Sequence, residues 1–128
     1  MGAINYDYIR LLVNGLTEFR REGILCDIIF ELRDGTVPAH SVILASVSRK
    51  LRPVFTENVE PEAHYHRIEM PDFGKDAMSW LLEYVYTGEK GTPMSPASTC
   101  DVISLFETLE IPAPVDWIIP NDRSIPGK

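Results

Sequence analysis

The sequence is poor in positive charge. Its 12 Lys and Arg residues stand against 19 Asp and Glu residues, which leaves a net charge of −7 at pH 7. Phosphate backbones and anionic lipid headgroups attract proteins through a positive field that this composition does not provide. We therefore expect no direct nucleic-acid contact and no membrane association.

Long apolar segments are also missing. No apolar run reaches the roughly 20 residues that cross a bilayer, and the N-terminal sequence MGAINYDYIR lacks the basic-then-apolar order of a secretory signal. The chain is therefore expected to be intracellular. Its two cysteines, Cys26 and Cys100, fall on segments predicted to be buried, which favours reduced thiols, although a disulfide between them stays open.

The length and the apolar content fit one domain. A chain of 128 residues with 45% apolar residues can form one contiguous core. Nothing in the sequence divides it further. We assign residues 1–120 to a single domain and residues 121–128 to a flexible C-terminal tail.

An amphipathic helix is predicted over residues 6–22. Asn5 is suited to the N-cap position and Gly23 to the position after the last turn. Apolar residues recur at the i, i+3, i+4, i+7 spacing of one helix face. This stripe contains Tyr8, Ile9, Leu11, Leu12, Val13, Leu16 and Phe19. A stripe of this width either packs entirely on the core of its own chain or leaves part of its surface for another chain.

A β-hairpin is predicted next. Residues 26–32 alternate between apolar and polar side chains, as a strand with one buried face does. Asp34 and Gly35 predict a type I′ turn, in which both residues have positive φ. Residues 36–39 form the returning strand, which Pro38 confines to an edge or an end.

Two short helices follow the hairpin in the predicted order. Ser41 is suited to cap a helix over residues 42–46, and Ser48 to cap a second one over residues 51–55. Pro53 falls inside the second helix and is expected to distort it.

The second half of the chain is predicted to contain one strand and two longer helices. The strand covers residues 67–70, and a helix over residues 75–87 ends at Gly88. Residues 98–101 form a variant capping box at the start of the last helix, which ends before Pro112. The apolar residues of the two helices that are expected to be buried are Ala77, Met78, Leu81, Leu82, Val85, Val102, Leu105, Phe106 and Leu109.

The order and spacing of these elements resemble the BTB (POZ) domain family. The resemblance rests on the first helix ending in RREGILCDI, the Cys26-Asp27 pair, the Ala39-His40 pair before VILAS, Phe55, and the helix ending YVYTG. The resemblance implies an α+β fold: a cluster of helical hairpins flanked by a short three-stranded sheet, with an extra N-terminal dimerisation helix.

The long first helix indicates which members of the family the chain resembles most. It is similar to that of BTB domains in zinc-finger transcription factors and kelch-type adaptors, which dimerise through this helix. The resemblance implies a two-fold homodimer. The implied interface residues are Tyr8, Ile9, Leu12, Val13, Leu16 and Phe19. A monomer that uses the helix internally or against a different partner stays open.

One departure from the family concerns a charged pocket at the dimer centre. In zinc-finger repressors, the Asp of the Cys-Asp pair and a basic residue after the Ala-His pair line this pocket. Here Asp27 is present, but the next position is Ser41. The charge pairing is lost, and Asp27 is as well suited to bond nearby backbone groups.

A second departure concerns cullin binding. Cullin-binding members share a hydrophobic, any-residue, Glu sequence after the Phe that closes the second short helix. Here that residue is Phe55, and the family's spacing reaches Val59, Glu60 and Pro61, so the final Glu is missing. The resemblance to cullin adaptors is therefore partial, and a cullin is retained as an alternative partner that would face Phe55, Val59 and Glu60.

No set of residues predicts an enzyme. Cys26 opens a buried strand without a neighbouring base. His64 and His66 could both reach a metal, but two histidines without further ligands make a weak zinc site. We expect no catalytic residue, no metal and no cofactor.

The sequence therefore predicts a binding module that homodimerises and recruits other proteins, such as co-regulators, within a transcriptional or chromatin regulator. The alternative is a substrate adaptor of a cullin-based ubiquitin ligase. By analogy with the family, a nuclear location is slightly favoured over a cytoplasmic one.

Overall fold

A computed structural model describes residues 2–57, 65–92 and 94–114. These residues form an α+β fold. In chain order its elements are α1 (Tyr6–Glu22), β1 (Ile28–Leu32), β2 (Gly35–Ala39), α2 (Ser41–Val47), α3 (Arg52–Thr56), β3 (His66–Met70), α4 (Lys75–Thr87) and α5 (Pro96–Leu109). The proposed tail, residues 121–128, and the end of the proposed domain lie outside the described residues.

Helices α1 and α4 begin and end where the sequence predicts. In α1, Asn5 Oδ1 accepts a hydrogen bond from the backbone N–H of Tyr8 at 3.0 Å. Gly23 follows α1 with a φ of 73°, and Gly88 follows α4 with a φ of 76°. Glycine tolerates this left-handed conformation without the Cβ clash of other residues, so both helices end in the expected way.

The sheet has three strands in the order β2-β1-β3. β1 pairs antiparallel with β2 and parallel with β3. Pro38 of β2 pairs with Ile29 of β1. β2 is an edge strand, which suits proline because proline has no N–H to donate to a further strand. The expected alternation holds for β1, where Ile28, Phe30 and Leu32 are buried.

The prediction of a type I′ turn at Asp34 and Gly35 is wrong. Leu32 already pairs with Gly35, so the turn residues are Arg33 and Asp34, and Asp34 does not have positive φ. Tertiary contacts fix this register. The Asp34 carboxylate accepts a hydrogen bond from the Lys75 N–H at 2.8 Å, and the Arg33 N–H donates to the Phe73 carbonyl at 2.9 Å.

The core lies between the sheet and the helices, with α4 at its centre. α4 contacts α1, α2, α5 and β2. The fully or nearly buried apolar side chains of α4 and α5 are Ala77, Met78, Trp80, Leu81, Leu82, Tyr86, Val102, Leu105, Phe106 and Leu109. These include all the predicted ones except Val85, which is half-buried.

The two short helices begin differently from the prediction. Ser41 is the first residue of α2 and does not cap it, because its hydroxyl donates to Asp27. Ser48 does accept a hydrogen bond from the Leu51 N–H at 2.9 Å, as a cap would, although α3 starts at Arg52. Pro53 lies in the first turn of α3. The N–H groups of a first turn have no acceptor within the helix, so proline is accommodated there without distorting it.

The predicted capping box at residues 98–101 is also misplaced. α5 begins at Pro96, and Ser95 is its N-cap, accepting a hydrogen bond from the Ser98 N–H at 3.2 Å. Proline favours the first helical turn, and this preference sets the start three residues earlier. Cys100 is exposed on α5, in contrast to its predicted burial.

Both cysteines are free thiols, and Cys26 is half-buried. Among the helices formed by the described residues, none combines the length and the apolar character needed to cross a bilayer.

Candidate protein-interaction surface

The most buried side chains of the first helix are polar, and much of its apolar stripe faces outward. Thr17 and Arg20, the buried residues of α1, are only 5% and 6% exposed. Leu12 and Phe19 are 50% and 38% exposed. An amphipathic helix on a monomer core normally buries its apolar stripe, so this orientation leaves the stripe available to another chain.

An ion pair explains how α1 attaches to the core. Arg20 Nη2 lies 2.6 Å from Glu83 Oε1 on α4, and the Arg20 guanidinium lies 4.9 Å from the centre of the Tyr86 ring. Arg21 also pairs with Glu83. Charge-assisted hydrogen bonds of this kind are about twice as strong as neutral ones. α1 is therefore attached to α4 through charged groups as well as through the apolar contact of Leu16 with the core.

The six predicted interface residues divide into two groups. Tyr8, Ile9, Leu12 and Phe19 are exposed. Val13 and Leu16 are half-buried, and Leu16 packs against the core. The exposed group forms one apolar face of α1.

Two further apolar residues extend this surface, and sequence reasoning missed them. Ile24 is exposed, and Leu25 is 77% exposed with a φ of 60°. A non-glycine residue with positive φ is uncommon and is held there by its surroundings. The sequence does contain a signal for this extension. Ile24 and Leu25 are apolar, although a connection between a helix and a strand is normally polar.

The structure brings Asp27 and Ser41 together. Asp27 Oδ1 accepts a hydrogen bond from the Ser41 N–H at 2.7 Å, and Oδ2 accepts one from the Ser41 hydroxyl at 2.5 Å. Both carboxylate oxygens therefore bond the first turn of α2, where a negative charge is favourable. This geometry matches the alternative in which Asp27 serves nearby backbone groups.

A buried hydrogen-bond network lies beside Asp27. The Tyr86 hydroxyl accepts from the His40 backbone N–H at 2.9 Å and lies 2.6 Å from His40 Nδ1. Burial raises the pKa of Tyr86 to about 12, so this hydroxyl remains a donor to Nδ1. Nε2–H then donates to the Ile24 carbonyl at 2.9 Å. The network joins α4 to the segment that carries Ile24 and Leu25.

The half-buried Cys26 is not suited to nucleophilic chemistry. Its Sγ lies 3.6 Å from His40 Nε2, but that nitrogen already donates to a carbonyl. Burial, followed by the nearby charge of Asp27, raises the pKa of Cys26. Cys26 is therefore held as a thiol, while nucleophilic catalysis needs the thiolate.

The predicted cullin-facing residues are described in part. Phe55 is half-buried, and its ring centre lies 4.9 Å from that of His66. Val59 and Glu60 lie outside the described residues, as does His64. Within the described ranges, no group of three or more His, Cys, Asp or Glu side chains is arranged to hold a metal ion.

The sequence profile of the BTB/POZ domain family matches residues 16–118. The chain belongs to the BTB/POZ domain family. This confirms the resemblance on which the fold was predicted, and a BTB domain is a protein-interaction fold that is not typically enzymatic.

The similar proteins include two kinds. The chain is 30% identical over 84% of its length to zinc finger and BTB domain-containing protein 7A of Gallus gallus, and spans 19% of that protein. It is 38% identical over 60% of its length to Kelch-like protein 28 of Homo sapiens, and spans 13% of it. The chain thus covers about a fifth or less of these curated relatives.

Among solved structures, the BTB domain of zebrafish PATZ1 has the same fold. The TM-score is 0.68 at 18% sequence identity, and the match covers 87% of each chain. The α+β class with five helices and a small three-stranded sheet is therefore that of a BTB domain.

Proposed function

We propose that this BTB domain homodimerises through the apolar face of α1, and that the dimer recruits other proteins within a transcriptional or chromatin regulator. The observation that carries the proposal is the orientation of α1. Its inward positions are Thr17 and Arg20, while Leu12 and Phe19 face away from the core.

The exposed apolar face supports an interface with a second copy. Tyr8, Leu12 and Phe19 share one face of α1, and the exposed Leu25 follows shortly after the end of the helix. A stable interface buries about 800 Å² on each partner. At about 25 cal/mol per Å² of apolar surface, the hydrophobic gain outweighs the loss of translational and rotational freedom if most of the buried area is apolar.

A role in transcription is supported by the zinc-finger relative, which matches a larger share of this chain than the kelch-like relative does. Dimerisation would act through multivalency. Pairing two chains holds two copies of any attached binding region at a high effective concentration, so that weak individual contacts add. For a protein with this role we propose a nuclear location.

Sedimentation equilibrium at micromolar concentration tests the proposal. We expect a mass of twice 14.5 kDa for the unmodified chain. Leu12→Asp should yield a folded monomer, because a carboxylate would be buried without a partner in the interface. Leu16 is a poorer site for this test, since it also packs against the core.

Val54→Asp is the matched control. Val54 is 49% exposed on α3, against 50% for Leu12 on α1. The control should remain a dimer. A monomer at all concentrations for the unmodified chain, or an unchanged dimer for Leu12→Asp, would contradict the proposal.

A second candidate function is a cullin adaptor, which the kelch-like relatives favour. Phe55 and the segment with Val59 and Glu60 would face the cullin. A pull-down with the N-terminal region of a cullin, repeated with Val59→Asp, tests this directly. Retention that Val59→Asp abolishes would support the adaptor, and no retention by the unmodified domain would reject it.

A further inference from the structure

The third strand leaves one of its edges open. In the order β2-β1-β3, β3 lies at an end of the sheet and pairs with β1 alone among the described strands. The other end of the sheet, β2, carries Pro38, a residue that disfavours further pairing, whereas β3 contains no proline. An unblocked edge presents main-chain donors and acceptors to another extended strand.

The hydrogen bonding between β1 and β3 shows which main-chain groups point outward. The His66 N–H donates to the Asp27 carbonyl at 2.7 Å, so the main-chain groups of His66 point toward β1. Along a strand these groups alternate in direction from one residue to the next. The N–H and C=O groups of Arg67 and Glu69 therefore point away from β1, toward the open edge.

Arg67 and Glu69 also share the solvent face of β3, and their charges are opposite. Both side chains are exposed, while Ile68 between them is half-buried and packs against the core. Arg67 pairs with Glu31 of β1. Glu69 lies directly opposite Glu31 in the ladder and takes part in none of the ion pairs formed by the described residues. Like charges in this position are destabilising, and a cation beside Glu69 would relieve the repulsion.

The charge pattern of β3 is complementary to itself. If two β3 strands ran antiparallel about a two-fold axis at Ile68, Arg67 of each strand would lie opposite Glu69 of the other. These two residues would exchange both of their N–H···O=C bonds, so the pairing would make four main-chain hydrogen bonds. A shift of the register by two residues in either direction would instead place Arg67 opposite Arg67, or Glu69 opposite Glu69. The charges therefore select one register.

We propose that the open edge of β3 pairs antiparallel with β3 of a second copy of this chain, in the register that places Arg67 opposite Glu69. A second copy is favoured over an extended segment of another protein, because the charges of β3 match those of β3 itself. The paired surface is small compared with the roughly 1,200 Å² or more that stable complexes bury, so we expect a dissociation constant on the order of 1 mM.

The β3 edge and the apolar face of α1 lie apart. α1 contacts α4 and β2, and β2 is at the end of the sheet opposite to β3. Both surfaces can therefore be occupied together. Pairing through β3 would join α1 dimers into larger assemblies, in which many copies of an attached binding region act together. The pairing itself does not rest on the α1 dimer.

Sedimentation equilibrium of the full chain at about 10 µM and at about 1 mM tests the pairing. The weight-average mass at the higher concentration should be about 1.5 times the mass at the lower one, as a dissociation constant on the order of 1 mM implies. In a ¹⁵N-labelled sample, the same change in concentration should shift the backbone amides of Arg67 and Glu69 and slow their exchange with solvent. The α1 dimer is judged from the mass at the lower concentration, so the two proposals can fail separately.

A charge exchange connects the pairing to these two residues. Glu69→Arg would place cations opposite cations, and Arg67→Glu would place carboxylates opposite carboxylates, so each variant alone should pair about tenfold more weakly. In an equimolar mixture, the two cations of one variant face the two carboxylates of the other, and the mass increase should return. The controls Glu107→Arg and Lys50→Glu make the same charge changes at exposed positions outside β3 and should pair like the unmodified chain.

The outcomes separate pairing from folding. Glu69→Arg removes the repulsion between Glu69 and Glu31, so its thermal midpoint should equal or exceed that of the unmodified chain. Equal masses at the two concentrations, a mass increase that Glu69→Arg leaves unchanged, or a mixture that does not associate would overturn the proposal. Saturable shifts of the Arg67 and Glu69 amides by an acetylated and amidated Thr-Val-Thr-Val-Thr-Val peptide, without self-association, would assign the edge to another protein and overturn it as well.

Discussion

Helices α1 and α4 look alike in the sequence and behave differently in the fold. Both show helical periodicity, and both end at a glycine with positive φ. α4 buries its apolar side chains in the core, whereas α1 buries Thr17 and Arg20 and exposes its apolar face. Amphipathicity therefore identifies an apolar face, but tertiary ion pairs decide which way that face points.

The largest contrast should appear when a leucine of each helix is truncated. Leu81 is fully buried in α4, and Leu11 is exposed on α1. Leu81→Ala should lower the free energy of unfolding by about 2–5 kcal/mol, because it removes buried apolar area and leaves a cavity. Leu11→Ala should change it by less than about 0.5 kcal/mol. Urea unfolding measures both, and equal losses would contradict the orientation of α1.

The next contrast concerns the ion pair that orients α1. Glu83→Gln would leave the buried Arg20 without its carboxylate, and we expect a loss of about 2 kcal/mol in the free energy of unfolding. The matched control is Glu31→Gln, which removes the carboxylate of the exposed Glu31–Arg67 pair. That change should have little effect, since exposed pairs contribute little. Similar losses in the two variants would show that burial does not strengthen the Arg20 contact.

A smaller effect is expected from alkaline pH through Tyr86. Its pKa is raised to about 12, mainly by burial, while an unfolded tyrosine titrates near 10. The folded state thus favours the protonated form, so this contribution is complete below pH 10 and is lost as the pH rises from about 10 to 12. The free energy of unfolding should fall by about 2 kcal/mol across that window.

Tyr86→Phe serves as the reference for the alkaline experiment. It should lose about 1–3 kcal/mol at neutral pH, because the His40 N–H loses its acceptor, and it should show a smaller alkaline decline. Tyr65→Phe, at an exposed position, should retain the full decline. An identical alkaline decline in Tyr86→Phe would exclude Tyr86 as its source.

Much of the fold could be predicted because its signals are local. The bounds of α1 and α4 follow from capping residues and periodicity, and Pro38 places β2 at a sheet edge. The start of α5 was misplaced although its signals, Ser95 and Pro96, are local. The errors at α2 and in the hairpin turn occurred where a group outside the element supplies the contact. Asp27 bonds the start of α2 across the fold, and Lys75 holds Asp34 in the turn.

The candidate surface could be predicted less completely. The apolar stripe of α1 is visible in the sequence, but its division into exposed Leu12 and core-packed Leu16 depends on where Arg20 meets Glu83. Those two residues are 63 positions apart. The periodicity of α1 alone cannot predict a contact between residues so far apart in the sequence.

The smallest expected effect compares the N-termini of the same two helices. α1 is capped by its own neighbour, Asn5, at an exposed end. α4 has no local side-chain cap, and Asp34 of the hairpin turn accepts from its first N–H. Asp34→Ala should cost about 1 kcal/mol in the free energy of unfolding, and Asn5→Ala about 0.5 kcal/mol. Asp34 also fixes the turn register, so its loss affects the packing of the hairpin on α4. A larger loss for Asn5→Ala would mean that the start of α1 is held more firmly than its exposure implies.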